Sequence, residues 1–321
     1  VTTTTLPALN EAVLTEALTG LSAPKKTLSP WLFYDELGSQ LFERITALPE
    51  YYLTRTESAL FHNHADDIFL ALDSAVTIAE LGAGSAAKTG ILLRAATRFQ
   101  LSVLYQPIDI SPSALDEAAI SLSAIPNVCV EPQSANYITE PFRITRLPGH
   151  KVLALYIGSS IGNFSPAEAT SILCNLRHHL QPGDALLLGT DLAPGATKSV
   201  DTLLAAYDDA AGVTAAFNLN VLTRLNRELG ADFDVAAFAH RARWNPTCSR
   251  IEMHLESLAP QTVNLAGKRI RFAAGETIHT ENSYKFNAAA IQALLASSGF
   301  ASTRTFTDAG KTFAVTLAEA V

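Results

Sequence analysis

The chain has 321 residues, 48% of them hydrophobic and only 17% charged, which excludes a disordered chain and supplies a core without staples. With 23 Lys and Arg against 31 Asp and Glu, the net charge is −8, so a phosphate backbone is repelled and no nucleic-acid partner is expected. The length suits two domains or one large one.

The threonine run at 2–5 reads as a loose end. From about Asn10 to Asn63 the pattern is helical. It breaks at Ser29-Pro30 and Leu48-Pro49, because the residue before proline is pushed out of the helical region. From 76 the character changes. Short apolar segments at Val76–Leu81, Leu101–Ile110, Val128–Glu131, Val152–Ile157 and Asp184–Leu188 alternate with helical patterns at Lys88–Thr97, Pro112–Leu122 and Pro166–Leu180. Buried strands alternating with crossover helices predict an α/β fold with a doubly wound, mostly parallel sheet.

After Leu192 the helical character returns, at Val200–Asp209, Val213–Leu229 and Val235–His240. Two strands are predicted next, Ile251–Leu258 and Thr262–Phe272, with Asn245-Pro246-Thr247 as a turn before them. This α+β stretch interrupts the βα rhythm. With the N-terminal helices it predicts a smaller inserted domain, residues 6–55 and 193–285, beside a larger one of 56–192 and 286–321. The chain ends with a helix at Asn287–Ser297 and two strands around Asp308-Ala-Gly, a hairpin signal. An antiparallel hairpin closing a parallel sheet is typical of methyltransferases that use S-adenosylmethionine and not of nicotinamide-binding folds. That is an analogy at the level of fold.

Cys129, Cys174 and Cys248 lie far apart and form neither a disulfide framework nor CxxC pairs, as in a reducing compartment. No apolar run reaches the ~18–20 residues that span a bilayer. No secretory signal pattern opens the sequence. A cytoplasmic monomer without membrane association is expected.

Gly82-Ala-Gly84-Ser-Ala-Ala87 follows the first strand of the sheet and fits G-x-G-x-x-[GA], a loop that lets a ligand approach the backbone. A plain βα turn holds two glycines as well. Asp109 closes the second strand, where a carboxylate accepts both hydroxyls of a ribose or, alternatively, caps the helix after Ser111-Pro112. Together they point to a nucleoside cofactor without separating NAD from S-adenosylmethionine. Glu80, beside the loop, leans towards the latter, which carries an ammonium group; a carboxylate bonded to loop amides is the other reading. Gly158-Ser-Ser-Ile-Gly162-Asn163 follows the fourth strand, on the edge where such sheets place ligands. Asn163 suits a substrate carboxylate or amine. Taken with Ser160 as centre, the same string imitates a G-x-S-x-G nucleophile elbow. His62-x-His64 and His178-His179 do not share a helix face as i,i+4 ligands would, so no metal is expected.

Several long strings carry a resemblance. They are Tyr34-Asp-Glu-Leu-Gly38-Ser39-x-Leu-Phe42-Glu43-x-Ile45-Thr46-x-Leu48-Pro49-Glu50-Tyr51-Tyr52-x-Thr54-Arg55-Thr56-Glu57, Ile157-Gly-Ser-Ser-Ile-Gly-Asn163, Leu187-Leu-Gly-Thr-Asp191-Leu192, Tyr207-Asp-Asp-Ala-Ala-Gly-Val-Thr-Ala-Ala-Phe-Asn218, Arg250-Ile-Glu-Met253 and Lys285-Phe286. The chain resembles, over nearly its whole length, the histidine-specific Nα-methyltransferases of ergothioneine biosynthesis. The resemblance implies three methyl transfers from S-adenosylmethionine to the α-amino nitrogen of L-histidine, giving hercynine. It implies a methyltransferase sheet with a smaller substrate-binding domain. On the cosubstrate side it implies Tyr34, Gly82, Lys88, Asp109, and the pair Asn136-Tyr137; Asn136 stands where a family member is acidic, and its amide still bonds adenine. On the histidine side it implies Tyr51, Gly158, Asn163 and Tyr207, with Asn163 and Tyr207 on the carboxylate. Glu281 and Ser283 would bind the imidazole, flanking Asn282, and Met253 and Phe217 would be walls. Tyr34 and Phe217 are the candidates for lining the reacting nitrogen; no general base is assigned. Bland readings stand beside these: Tyr51 and Tyr207 as core tyrosines, Met253 as core, Glu281 as a solvated strand-end charge. Other functions in view are methylation of a tryptophan derivative, a nicotinamide oxidoreductase, and a non-catalytic binding protein.

Overall fold

The structure, a computed structural model, describes residues 10–321 apart from Ser85 and Thr139. The threonine run at 2–5 lies outside the described residues. The chain divides into two compact units. One takes the chain up to Tyr52 together with Ser199–Ser283, the other Leu53–Lys198 together with Tyr284–Val321.

The second unit is built on one sheet. Its strands lie in the order Phe300–Thr307, Phe313–Ala320, Ala185–Asp191, Lys151–Tyr156, Val76–Leu81, Val103–Asp109, Val128–Val130. The last five are parallel and the first two antiparallel, so the sheet is doubly wound and closes in a hairpin. Val76–Leu81 and Ala185–Asp191 are buried along their whole length, because crossover helices cover both faces. Those helices are Thr89–Phe99, Pro112–Ser123 and Pro166–His178, the last opened by a capping box of Ser165 and Glu168. The closing hairpin turns on Asp308, whose carboxylate accepts from the backbone N–H of Gly310, Thr312 and Phe313. The chain winds outward from Val76–Leu81 and then returns to lay Lys151–Tyr156 on its other side. The switch point therefore falls between these two strands, and the loops at 82–88 and 158–163 leave from their carboxyl ends.

The first unit carries a four-stranded sheet in the order Lys26–Thr27, Thr277–Tyr284, Arg250–Ser257, Phe238–Asn245. Its helices include Glu11–Ser22, Glu36–Thr46 and Val213–Leu229. Asp35 caps Glu36–Thr46 through the Gly38 N–H at 2.7 Å, and the same carboxylate accepts from Asn220 and Arg227 of Val213–Leu229, at 2.8 and 2.7 Å. Two sequence expectations fail here. Val235–His240 is not a helix: only Val235–Ala237 forms a 3₁₀ turn, and Phe238 opens a strand that runs to Asn245. Its side chains alternate with the period of a strand, Phe238 and His240 buried and Arg241 and Arg243 exposed. Thr262–Phe272 is a hairpin and not a single strand. Gln261–Leu265 and Lys268–Phe272 pair antiparallel around Ala266-Gly267, both with positive φ. The chain turns between Asn245 and Arg250, as expected. Among the described residues no helix is long and apolar enough to cross a membrane.

Candidate active site

In the second unit, Gly82 and Gly84 have φ of +68° and +53°, the left-handed region that glycine enters without cost. The Gly82 N–H donates to the Ile108 carbonyl, and the Gly84 N–H donates to Asp109 Oδ2 at 2.9 Å. Asp109 Oδ1 accepts from the Ser111 N–H at 2.9 Å. The carboxylate thus ties the end of its own strand to the glycine loop. A Cβ on Gly84 would meet nothing within 4 Å, so the loop borders open space. Tyr137 lies against the same loop, its hydroxyl 3.3 Å from where a Gly82 Cβ would stand. Burial pushes the Tyr137 hydroxyl up to about 12, and it shares a 3.3 Å contact with the Tyr156 hydroxyl. Asn136 lies one residue before; its side-chain oxygen accepts from the Ile138 N–H at 3.1 Å and closes a local turn.

Lys88 is placed by a residue the sequence reading passed over. Glu57, fully buried on the helix Tyr52–Leu72, is ion-paired to Lys88 Nζ and accepts from the Gly158 N–H at 2.8 and 3.0 Å. This one carboxylate joins the loop before Thr89–Phe99 to the loop after Lys151–Tyr156. A side chain at Gly189 would destroy the arrangement, since its Cβ would lie 2.1 Å from Glu57 Oε1. Asn163 ends the 3₁₀ turn Ser160–Asn163 of the Gly158 loop. The elbow reading fails at this loop: Gly158 and Ser159 have positive φ and Ser160 does not, the Ser159 hydroxyl accepts from the Asp191 N–H, and Ser160 Oγ donates to the Ile157 carbonyl.

Glu80 does not face a ligand. It is 2% exposed, and both Thr89 Oγ1 and Tyr105 OH donate to its Oε2, so neither the ammonium reading nor the loop-amide reading holds. Burial raises its pKa from 4.5 to about 7 against the pull of those two hydroxyls. The folded protein therefore favours the protonated carboxyl more than the unfolded chain does. The associated stability is complete below about 4.5 and is lost as pH rises through about 7, roughly 3 kcal/mol over that interval. Glu80→Gln should remove this component. Urea denaturation of both proteins between pH 5 and 8 should give a difference that grows in favour of the variant as pH rises; parallel profiles would mean that Glu80 does not titrate there.

The first unit gathers aromatic rings. Phe217 lies 4.6 Å from Phe33, 5.9 Å from Tyr34 and 6.0 Å from Phe42, between ring centroids. Phe42 continues to Tyr51 at 6.4 Å, and Tyr51 to Tyr207 at 6.2 Å. The Tyr207 hydroxyl then meets Ser283 Oγ at 2.7 Å. Glu281, two residues before on the strand Thr277–Tyr284, is 9% exposed and is no solvated charge. Met253, on the adjacent strand, is buried, and its carbonyl accepts from Thr280 Oγ1. Asn282 is half-buried. Behind Tyr207 stands His240, also unforeseen. Its Nε2–H donates to the Tyr207 carbonyl and its Nδ1 accepts from the Asn218 amide, both at 2.8 Å, which fixes one neutral tautomer. Burial lowers the pKa of that ring, against the pull of the Tyr207 carbonyl. The structure thus brings Tyr34, Tyr51, Tyr207, Phe217 and Ser283 into one cluster, together with Phe33 and Phe42. It places Gly82, Lys88, Asp109, Tyr137, Gly158 and Asn163 on two neighbouring loops and strand ends of the other unit.

The profile of the S-adenosylmethionine-dependent, histidine-specific methyltransferases matches residues 13–320. The chain belongs to this family. It is 42% identical to the histidine N-α-methyltransferase of Mycolicibacterium smegmatis over 96% of its own length and 95% of the relative's. Against the histidine N-α-methyltransferase of Mycobacterium tuberculosis identity is 39%, over 96% and 94%. Ergothioneine biosynthesis protein 1 of Neurospora crassa is 31% identical over 68% of this chain and 25% of that longer protein.

The residues of the glycine loop fit the cosubstrate of this methyltransferase family. The loop borders free space at Gly84, a carboxylate stands at the next strand end, and Tyr137 walls the loop. Asp109→Ala should therefore weaken S-adenosylmethionine binding roughly ten- to a hundredfold, the value of a charge-assisted hydrogen bond. Isothermal titration calorimetry measures it, with circular dichroism to show that the fold persists. Unchanged affinity would leave Asp109 with only its bonds to Gly84 and Ser111.

Proposed function

We propose that the enzyme transfers three methyl groups from S-adenosylmethionine to the α-amino nitrogen of L-histidine and releases hercynine, the first step of ergothioneine biosynthesis. The observation that carries this reading is the run of rings from Phe33 to Tyr207 that ends on Ser283, two residues from buried Glu281. Ring faces suit an amine that becomes a quaternary cation, by cation–π attraction. A carboxylate and a hydroxyl suit the two nitrogens of an imidazole.

In this reading Leu53–Lys198 with Tyr284–Val321 holds the cosubstrate, through Gly82, Lys88, Asp109, Asn136 and Tyr137. The unit formed by the chain up to Tyr52 and Ser199–Ser283 holds the histidine side chain. Tyr207, in the same unit, takes the carboxylate of the amino acid. S-adenosylmethionine supplies an activated methyl group whose leaving thioether is neutral and needs no acid. The protein's task is to hold the amine unprotonated and aligned, so positioning provides most of the rate. The apolar surroundings of Phe33, Phe42 and Phe217 disfavour an ammonium and lower its pKa. Tyr34 and Phe217 leave the nitrogen walls that a dimethylated amine still fits between. No metal enters the chemistry. Three separate free cysteines support a reducing, cytoplasmic setting, and a monomer suffices for the activity.

The test is mass spectrometry of each of the twenty amino acids after incubation with the protein and S-adenosylmethionine. Three added methyl groups on histidine alone support the reading. Methylation of tryptophan in preference to histidine would reassign the substrate, and no S-adenosylhomocysteine at all would make the chain a binding protein.

A further inference from the structure

We propose that Glu252, His254 and His279 form a binding site for one divalent transition-metal ion of the zinc class, made of residues other than those assigned to methyl transfer but adjoining Glu281 and Asn282 through His279. One ligand atom from each of the three lies within 4.8 Å of the others. Glu252 and His254 are two apart on the strand Arg250–Ser257 and so share a face; His279 comes from the neighbouring strand Thr277–Tyr284. Met253, between the first two, points to the opposite, buried face. Arg241 and Arg243, directly opposite His254 and Glu252 in the sheet, are exposed. The trio therefore sits on the outer side of the sheet, within reach of solvent.

Three features distinguish it from a chance meeting of polar groups. The two imidazoles lie side by side, with centroids 4.7 Å apart and planes 22° from parallel, and because an imidazole lone pair lies in the ring plane, turning one ring out of the stack brings a nitrogen of each to one ion. The Glu252 carboxylate is divided: Asn245 Nδ2 and the Arg250 guanidinium donate to Oε1, at 2.9 and 2.6 Å, while Oε2 faces His254 Nε2 at 3.2 Å. The Oε1 donors hold the carboxylate in place as outer partners hold metal ligands. Finally, His254 is buried, and its Nδ1 has no hydrogen-bond partner among the described residues. No donor to Nδ1 therefore commits the proton to Nε2, and the tautomer with a bare Nε2, the nitrogen that faces Glu252, is open to the ring.

The donor set selects the ion. Two imidazole nitrogens and one carboxylate oxygen suit zinc, copper, nickel or cobalt and leave a fourth position for water. Calcium and magnesium require more oxygen ligands than are present. The ligand atoms of a tetrahedral zinc site stand about 3.4 Å apart, so side-chain rotation without strand movement closes the set. The surrounding charge is one in excess on the positive side, Arg241 and Arg243 sharing Glu256 and Arg250 pairing with Glu252, so the three ligand atoms themselves must supply the affinity. His279 Nε2 contacts the Glu281 carbonyl at 3.1 Å, an outer partner that orients the second imidazole.

The experiment is calorimetric titration of zinc chloride into chelator-treated full-length protein, beside His254→Ala, His279→Ala and His279→Gln. One zinc per chain is expected, weakened at least tenfold in each variant, with no heat of binding from calcium. Cobalt titrated into the unaltered protein should give the absorption of a four-coordinate ion, displaced by zinc; this arm does not depend on the variants folding. Absence of stoichiometric zinc and cobalt binding, or zinc binding at full strength in His254→Ala and His279→Ala, overturns the proposal. Methyl-transfer assays of the zinc-free protein report separately on the proposed function.

Discussion

Glu281→Ala should raise the Michaelis constant for histidine about a hundredfold and narrow the gap to tryptophan and phenylalanine. The carboxylate is 9% exposed on a strand that also presents Ser283, and Ser283 is already engaged by Tyr207. Loss of a charge-assisted bond to the imidazole costs about 1.5–3 kcal/mol. Discrimination changes further, because a site built to hydrogen-bond a ring rejects analogues without its nitrogens by up to ~10⁴. Affinity for S-adenosylmethionine should stay nearly unaltered, since the assigned cosubstrate residues Gly82, Lys88, Asp109 and Tyr137 belong to the other unit. Steady-state kinetics on the three amino acids, beside a cosubstrate titration, measure both. An unchanged preference for histidine would give the imidazole another partner.

Asp191→Ala should cost the most stability of any single change considered. Asp191 ends the strand Ala185–Asp191, fully buried, and its two oxygens meet two buried lysines. Lys198 Nζ lies 2.6 Å from Oδ1 and Lys285 Nζ 2.8 Å from Oδ2. Lys198 also donates to the Thr312 carbonyl at 2.9 Å. Burial already holds the Lys198 ammonium below its usual pKa, against the favourable pull of Asp191. Removal of the carboxylate leaves two buried cations without the anion they share. Breaking a buried pair in this way destabilises by about 3–5 kcal/mol. Lys198→Met should be milder, because it leaves Asp191 matched one-to-one by Lys285. Urea denaturation of both variants tests the ordering; a larger loss in Lys198→Met would show that Asp191 is not the centre of the cluster.

What the sequence reveals, and what it hides, follows from the range of each interaction. The parallel strands are legible because short, mostly apolar segments alternate with helical patterns, as burial under crossover helices requires. The last hairpin is legible because Asp308-Ala-Gly carries its turn chemistry locally. The strand Phe238–Asn245 is not, since Val235-Ala-Ala before it looks helical and its own alternation is masked by three arginine or tryptophan side chains. In the site, Gly82, Gly84 and Asp109 are readable from position alone, at the ends of recognisable strands. Glu57 is not: it sits among polar neighbours on a helix, and its partner Gly158 is 101 residues away. His240 reaches Tyr207 across 33 residues, and His254 reaches His279 only because two strands pair. Such partners have no spacing that a local pattern can express. Glu80 misled for the opposite reason, a suggestive position whose side chain is turned inward to Thr89 and Tyr105.

The most direct test of the central claim is proton nuclear magnetic resonance of the product made from L-histidine and excess S-adenosylmethionine. The account predicts one sharp singlet from three equivalent methyl groups on the α-nitrogen, with both imidazole carbon-bound protons unperturbed by ring substitution. Methyl signals on a ring nitrogen, or accumulation of a monomethylated amine with no further turnover, would contradict it.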